Sequence, residues 1–112
     1  MTRDIKGLAL LLKALSDPNR LQIVLLLADH SEAIPHKDCH CGPGPMCVNA
    51  MTERLGMTQS AVSQHLRILR LAGIVHGEKI GVFVHYTLDR NVLIRATDTL
   101  QKILGLGSTG RK

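Results

Sequence analysis

The stretch Leu55-Gly56-Met57-Thr58-Gln59-Ser60-Ala61-Val62-Ser63-Gln64-His65-Leu66-Arg67-Ile68-Leu69-Arg70-Leu71 decides the fold. Ala61, Val62, Leu66 and Leu69 recur at helical spacing and form an apolar stripe, while Gln59, Ser60, Ser63, Gln64, Arg67 and Arg70 lie mostly on other faces. Thr58 is a residue type that caps a helix N-terminus, because its hydroxyl can accept a backbone N–H left unpaired in the first turn. Just upstream, Cys47 to Leu55 predicts a shorter helix with Val48, Met51 and Leu55 inward, and Gly56 is suited to end it. Helix, short glycine-containing turn, helix is the order of a helix-turn-helix.

After Gly73 the period becomes that of strands. Ile74 to Lys79 and Val82 to Leu88 read as a hairpin about Ile80-Gly81, followed by a last helix from about Asp89 to Leu104 with Leu93, Ala96, Leu100 and Leu104 on one face. Towards the N-terminus, Ile5, Leu8, Leu12 and Leu15 are spaced helically, and Leu10 and Leu11 make the other side apolar too. A helix apolar on two sides needs two packing partners, its own core and a second subunit. Ser16-Asp17-Pro18 stops that helix and starts another, with Leu21, Val24, Leu25 and Ala28 expected inward and an end near Asp29. The expected fold is mainly α with a small β-hairpin, a dimeric winged helix-turn-helix spanning 1–112 as one domain. A loop at 34–46 holds three prolines and two glycines before Met46, and the Gly- and Ser-rich tail 105–112 is expected to be flexible.

Composition sets the bounds. A chain of 112 residues holds one core, and Phe83 and Tyr86 are its only aromatic residues, so Leu, Ile, Val, Ala and Met must fill it. The formal charge of +5 favours a polyanionic partner without requiring one. Lys13 interrupts the apolar run Leu8 to Leu12 long before a membrane could be crossed, and no signal peptide is evident, so a cytoplasmic location is expected.

The polar residues of the Thr58 helix suit DNA. Thr58, Gln59, Ser60, Ser63, Gln64 and His65 are candidates for base edges in the major groove; Arg67 and Arg70, further along, and Lys79 in the hairpin are candidates for phosphate. Taken alone, the same residues read at least as well as the solvated face of any surface helix.

Three segments go further. Ala14-Leu15-Ser16-Asp17-Pro18-Asn19-Arg20-Leu21 and Leu55 to Leu66, together with Leu69 to Val75, closely resemble the ArsR/SmtB family of metal- and metalloid-responsive repressors. The resemblance spans roughly Leu8 to Leu104. It implies a homodimer built on the first and last helices, entry of the Thr58 helix into the major groove of operator DNA, and a hairpin wing beside the phosphates. Family members usually carry Arg after the wing-tip glycine, where this chain has Val82; Lys79 and His76 remain as wing candidates.

Cys39, Cys41 and Cys47 are the chemistry in this sequence. An odd number of cysteines clustered at 39–47 does not read as a disulfide framework. The family often carries Cys-Val-Cys at the start of the first helix of the motif; here Met46-Cys47-Val48-Asn49 keeps Cys47 and has Asn49 in place of the second thiol, so the loop thiols Cys39 and Cys41 are candidates to restore it. Three converging thiolates suit As(III) or Sb(III), and also Cd or Pb. Zn prefers a fourth ligand, for which His36 or His40 is available. Thiol redox or persulfide sensing is the competing use, with Cys47 paired to either loop thiol because a Cys39–Cys41 bridge would be strained.

Other site types fit less well. Zinc-, nickel- and cobalt-sensing relatives often use carboxylates and histidines on the last helix, where this chain has Asp89 and Asp98 but no histidine. An enzyme is not expected, since neither Cys-x-x-Cys nor a phosphate-binding glycine loop is present. A structural zinc-binding interaction module would keep the cysteines and need no recognition helix. The remaining histidines, His30 and His85, read as surface or packing residues.

Overall fold

The computed structural model describes residues 2–29 and 46–106. Five helices and three short strands follow in the order α1 (Thr2–Leu15), α2 (Pro18–Asp29), β1 (Met46–Cys47), α3 (Val48–Leu55), α4 (Gln59–Leu71), β2 (Val75–Ile80), β3 (Phe83–Leu88) and α5 (Arg90–Ile103).

The α1–α2 corner follows from its side chains. The Ser16 hydroxyl donates to the Lys13 carbonyl at 2.8 Å as α1 ends. Asp17 Oδ1 accepts from the Asn19 N–H at 2.7 Å and the Arg20 N–H at 3.4 Å, and Pro18 occupies the first helical position, where its missing N–H costs nothing. In α2 the buried residues are Ile23 and Leu27, whereas Leu21 and Leu25 are exposed. This corrects the inward face expected from sequence. Leu-Gln-Ile-Val-Leu-Leu-Leu-Ala is apolar nearly all round, so its periodicity cannot fix which side turns in.

The strands form an antiparallel sheet in the order β1-β3-β2. The expected hairpin is present, with its turn at Gly81-Val82 because Ile80 already pairs with Phe83. Gly81 has φ 65°, as a two-residue hairpin turn of the primed types requires at its first central position. Strand β1 was not foreseen: two residues carry no period. It pairs Met46 with Tyr86 and Cys47 with His85, so the start of α3 is tied to the wing.

Ile23, Met46, Met51, Val62, Leu66, Leu69, Ile74 and Val75 are fully buried and join α2, α3, α4 and the sheet in one core. Helix α1 contributes Leu8, Leu11 and Ala14, while its Ile5, Leu10 and Leu12 face out. No residue of α5 is fully buried in a single subunit; Val92, Leu93 and Ala96 pack partly against the core, and Ile94, Ile103 and Leu104 are exposed. The loop 34–46 is outside the described residues except for Met46, and so is the tail beyond 106.

Candidate nucleic-acid interface and thiol site

Helix α3, the turn Gly56-Met57-Thr58 and α4 make the helix-turn-helix. Gly56 adopts φ 67°, ψ 27° at the end of α3, a left-handed conformation that a Cβ would disfavour, and its N–H closes on the Thr52 carbonyl. Thr58 Oγ1 accepts from the Ala61 N–H at 3.1 Å, capping the first turn of α4. Val62, Leu66 and Leu69 anchor α4 in the core.

With that face fixed, Gln59, Ser60, Ser63, Gln64, Arg67 and Arg70 are all exposed. At about 100° per residue they share a single arc of roughly 140°. The first four lie in the N-terminal half and the two arginines in the C-terminal half. His65 is placed differently: it is half-buried, and its Nδ1 lies 3.2 Å from Arg20 Nη1. Arg20 in turn donates through Nε to the Ala14 carbonyl at 2.6 Å and lies 3.9 Å from Asp17 Oδ2. The sequence reading missed Arg20 as the residue that ties α4 to the α1–α2 corner, although it stands in the Ser-Asp-Pro-Asn-Arg segment.

Asp17 shares this corner. Burial raises its carboxyl, but the N–H groups of Asn19 and Arg20, with the Arg20 charge, outweigh that and hold it below its ordinary value.

The wing presents Lys79, which is exposed, next to an apolar tip made by Ile80 and the 85% exposed Val82. His76 sits at the base of the hairpin and not at its tip: its Nε2 is 2.7 Å from Asp89 Oδ2. Asp89 also caps α5, accepting from the Val92 N–H at 3.0 Å. The His76 hydrogen bond, then the Val92 N–H, lower its carboxyl from the ordinary value. Asp98 pairs with Lys102 at 3.2 Å. Both carboxylates that a last-helix metal site would use therefore have structural partners.

Cys47 is 1% exposed and stands at the N-cap of α3 in extended conformation, without a side-chain capping bond. It is disulfide-bonded. The chain's other cysteines are Cys39 and Cys41, which lie outside the described residues together with His36 and His40. Across the β1–β3 pairing stands His85, 6% exposed, with its Nδ1 buried and without a hydrogen-bond partner. Leaving such an atom unpaired costs about 1–3 kcal/mol. Among the described residues no group of three His, Cys, Asp or Glu side chains could hold a metal ion. Nor is any helix long and apolar enough to cross a membrane.

A helix-turn-helix with an outward polar arc, flanked by a β wing, defines a winged-helix transcriptional regulator. Comparison with known proteins agrees. Residues 41–76 match the model of the bacterial regulatory protein, arsR family. An uncharacterized HTH-type transcriptional regulator of Bacillus subtilis, YbzH, is 37% identical over 90 residues, which cover 80% of this chain and 90% of that one. The arsenical resistance operon repressor of Escherichia coli is 34% identical over 82 residues, 73% of this chain and 59% of that one. Among solved structures, HlyU from Vibrio cholerae superposes with a TM-score of 0.66 at 31% identity, covering 92% of this chain and 97% of the other. The chain belongs to the ArsR family of transcriptional regulators.

Proposed function

We propose that this regulator is a cytoplasmic, homodimeric repressor that binds double-stranded operator DNA and is released when Cys47, with Cys39 and Cys41, takes a thiophilic ion, As(III) or Sb(III). The observation that carries the reading is the position of Cys47. It is buried at the junction of β1 and α3, one residue from the helix that supports α4 and paired across to the wing. Any ligand that moves Cys47 must strain or shift the reading helix and the wing together.

Exposed apolar surface supports the dimer. Ile5, Leu10 and Leu12 on α1 and Ile94, Ile103 and Leu104 on α5 are exposed apolar residues on helices that already pack on each other. Between them lies an open groove of ≈ 420 Å³ lined in part by Leu8, Leu11, Val92 and Ala96. A second copy covers such faces in an isologous interface. Two α4 helices must then span one turn of DNA, about 34–36 Å between half-sites. A small rotation in each subunit spoils both contacts, so a coupling free energy of about 1–3 kcal/mol already weakens the complex severalfold or more.

Arsenite is favoured among the ions because three thiolates suit a soft ion, and the Escherichia coli relative is an arsenical resistance operon repressor. The disulfide at Cys47 supports a second reading in the same regulator, in which thiol oxidation or persulfide chemistry is the signal. Fluorescence anisotropy on DNA from upstream of the protein's own gene separates them. Arsenite should release the reduced protein, and Cys47→Ser should bind DNA yet ignore arsenite. Release only by oxidant or polysulfide transfers the cysteines to the redox reading. A full arsenite response in Cys47→Ser sinks the thiol site.

A further inference from the structure

We propose that Ile68 and Leu71, at the C-terminal end of the reading helix, are covered by a second copy of this chain, so that the partner subunit bears directly on α4. The inference rests on the homodimer proposed above and carries its interface beyond α1 and α5. Leu71 is 71% exposed and Ile68 is 40% exposed. At about 100° per residue, Leu71 falls inside the outward arc of α4, between Ser60 and Gln64, and is the one apolar side chain within it.

The two side chains lead into the dimer groove. Around the helix axis Ile68 lies between Leu71 and Ala72, about 60° from the first and about 40° from the second. Ala72 lines the groove between α1 and α5, together with Leu8, Leu11, Val92 and Ala96. Leu71, Ile68 and Ala72 therefore continue the groove as one apolar strip. A copy seated in the groove meets that strip where it emerges onto α4.

The size of a stable interface calls for this extension. Such an interface takes about 800 Å² and about 20–30 residues from each partner. Helices α1 and α5 have 14 residues each, and both turn one side to their own core, through Leu8, Leu11 and Ala14 in the first and Val92 and Ala96 in the second. What remains outward on two such helices falls short of that number, and the adjoining apolar surface is the end of α4.

Operator DNA does not suit the strip. A reading helix meets base edges with its N-terminal residues, and Leu71 lies about 16 Å further along the axis than Ser60. The groups beside it there are Arg67 and Arg70, candidates for phosphate, to which a leucine side chain adds nothing.

The test is the dimer dissociation constant of the full-length protein, measured by sedimentation velocity on a dilution series. An isologous interface uses each residue twice, so Leu71→Asp and Ile68→Asp should each weaken the dimer at least tenfold. Operator binding should fall at low protein concentration and recover above the weakened dimer constant. Leu71→Gln should weaken the dimer as well, and it carries the test if the aspartate variants do not fold. Wild-type dimerisation in the folded variants overturns the proposal. So does weaker operator binding with dimerisation unchanged, which would give the strip to DNA. Leu10→Asp on α1 separates the two readings. If it dissociates the dimer while the Leu71 and Ile68 variants stay dimeric, the homodimer stands and the α4 contact falls. A wild-type protein that is monomeric both free and on the operator removes both.

Discussion

Arg20 fixes His65 across the interior of the subunit, with Nη1 3.2 Å from the imidazole Nδ1 and Nε on the Ala14 carbonyl at 2.6 Å. Since a guanidinium only donates, Nδ1 of His65 accepts and its Nε2 carries the proton. The reading helix is thereby held to the α1–α2 corner by one planar, charged group. Arg20→Ala is expected to lower stability by about 1.5–3 kcal/mol, the range for hydrogen bonds to a charged group. Operator affinity should fall as well. Arg20→Lys should not rescue either, because an ammonium cannot serve both acceptors in this geometry. Urea melts and anisotropy titrations would show this; wild-type stability in Arg20→Ala would discard the buttress.

The outward arc of α4 predicts two different signatures. Gln64→Ala, if it loses a base contact, should weaken operator binding by about 1–3 kcal/mol and relax sequence preference, with the salt dependence preserved. Arg67→Ala should weaken operator and unrelated DNA alike and flatten the slope of log K against log salt by about 0.9. Salt-series titrations on both DNAs measure the two effects. A specific loss from Arg67→Ala would reverse the assigned roles.

The wing tip offers a gain rather than a loss. Val82 is 85% exposed beside Gly81 and carries no charge. Val82→Arg should raise operator affinity and steepen the salt slope by about 0.9, one added phosphate contact. An unchanged slope would mean that the wing tip does not approach the backbone.

The acid limb of stability should involve Asp17 and Asp89. Both carboxyls lie below their ordinary value in the folded chain. A depressed carboxyl binds fewer protons folded than unfolded, so its contribution is complete above the unfolded value, about 3.9, and is lost as pH falls through the lower folded one. Thermal midpoints should therefore drop on acidification below about pH 4–5. Asp89→Asn should be less stable than wild type at neutral pH, with the difference narrowing in acid. A difference constant from pH 7 to pH 3 would exclude this linkage for Asp89.

Much of the fold was legible in short-range chemistry. Thr58 with its helix, Gly56 at a left-handed stop, Asp17-Pro18 at a helix start and Gly81 in the turn are each fixed by interactions within a few residues, so the sequence by itself determined the order of the helices and the hairpin, the helix-turn-helix and its polar arc, but not the two-residue strand β1. Where apolar residues cover every side of a helix, as in α2, local pattern has no phase. Only packing against α3 and the sheet turned Ile23 and Leu27 inward and left Leu21 and Leu25 outside. Likewise nothing near Cys47 in the chain foretells His85, thirty-eight positions on. That pair, and the reach of Arg20 to His65, exist because tertiary structure closes long loops to bring distant residues into one register, and the residues flanking either partner do not encode that closure.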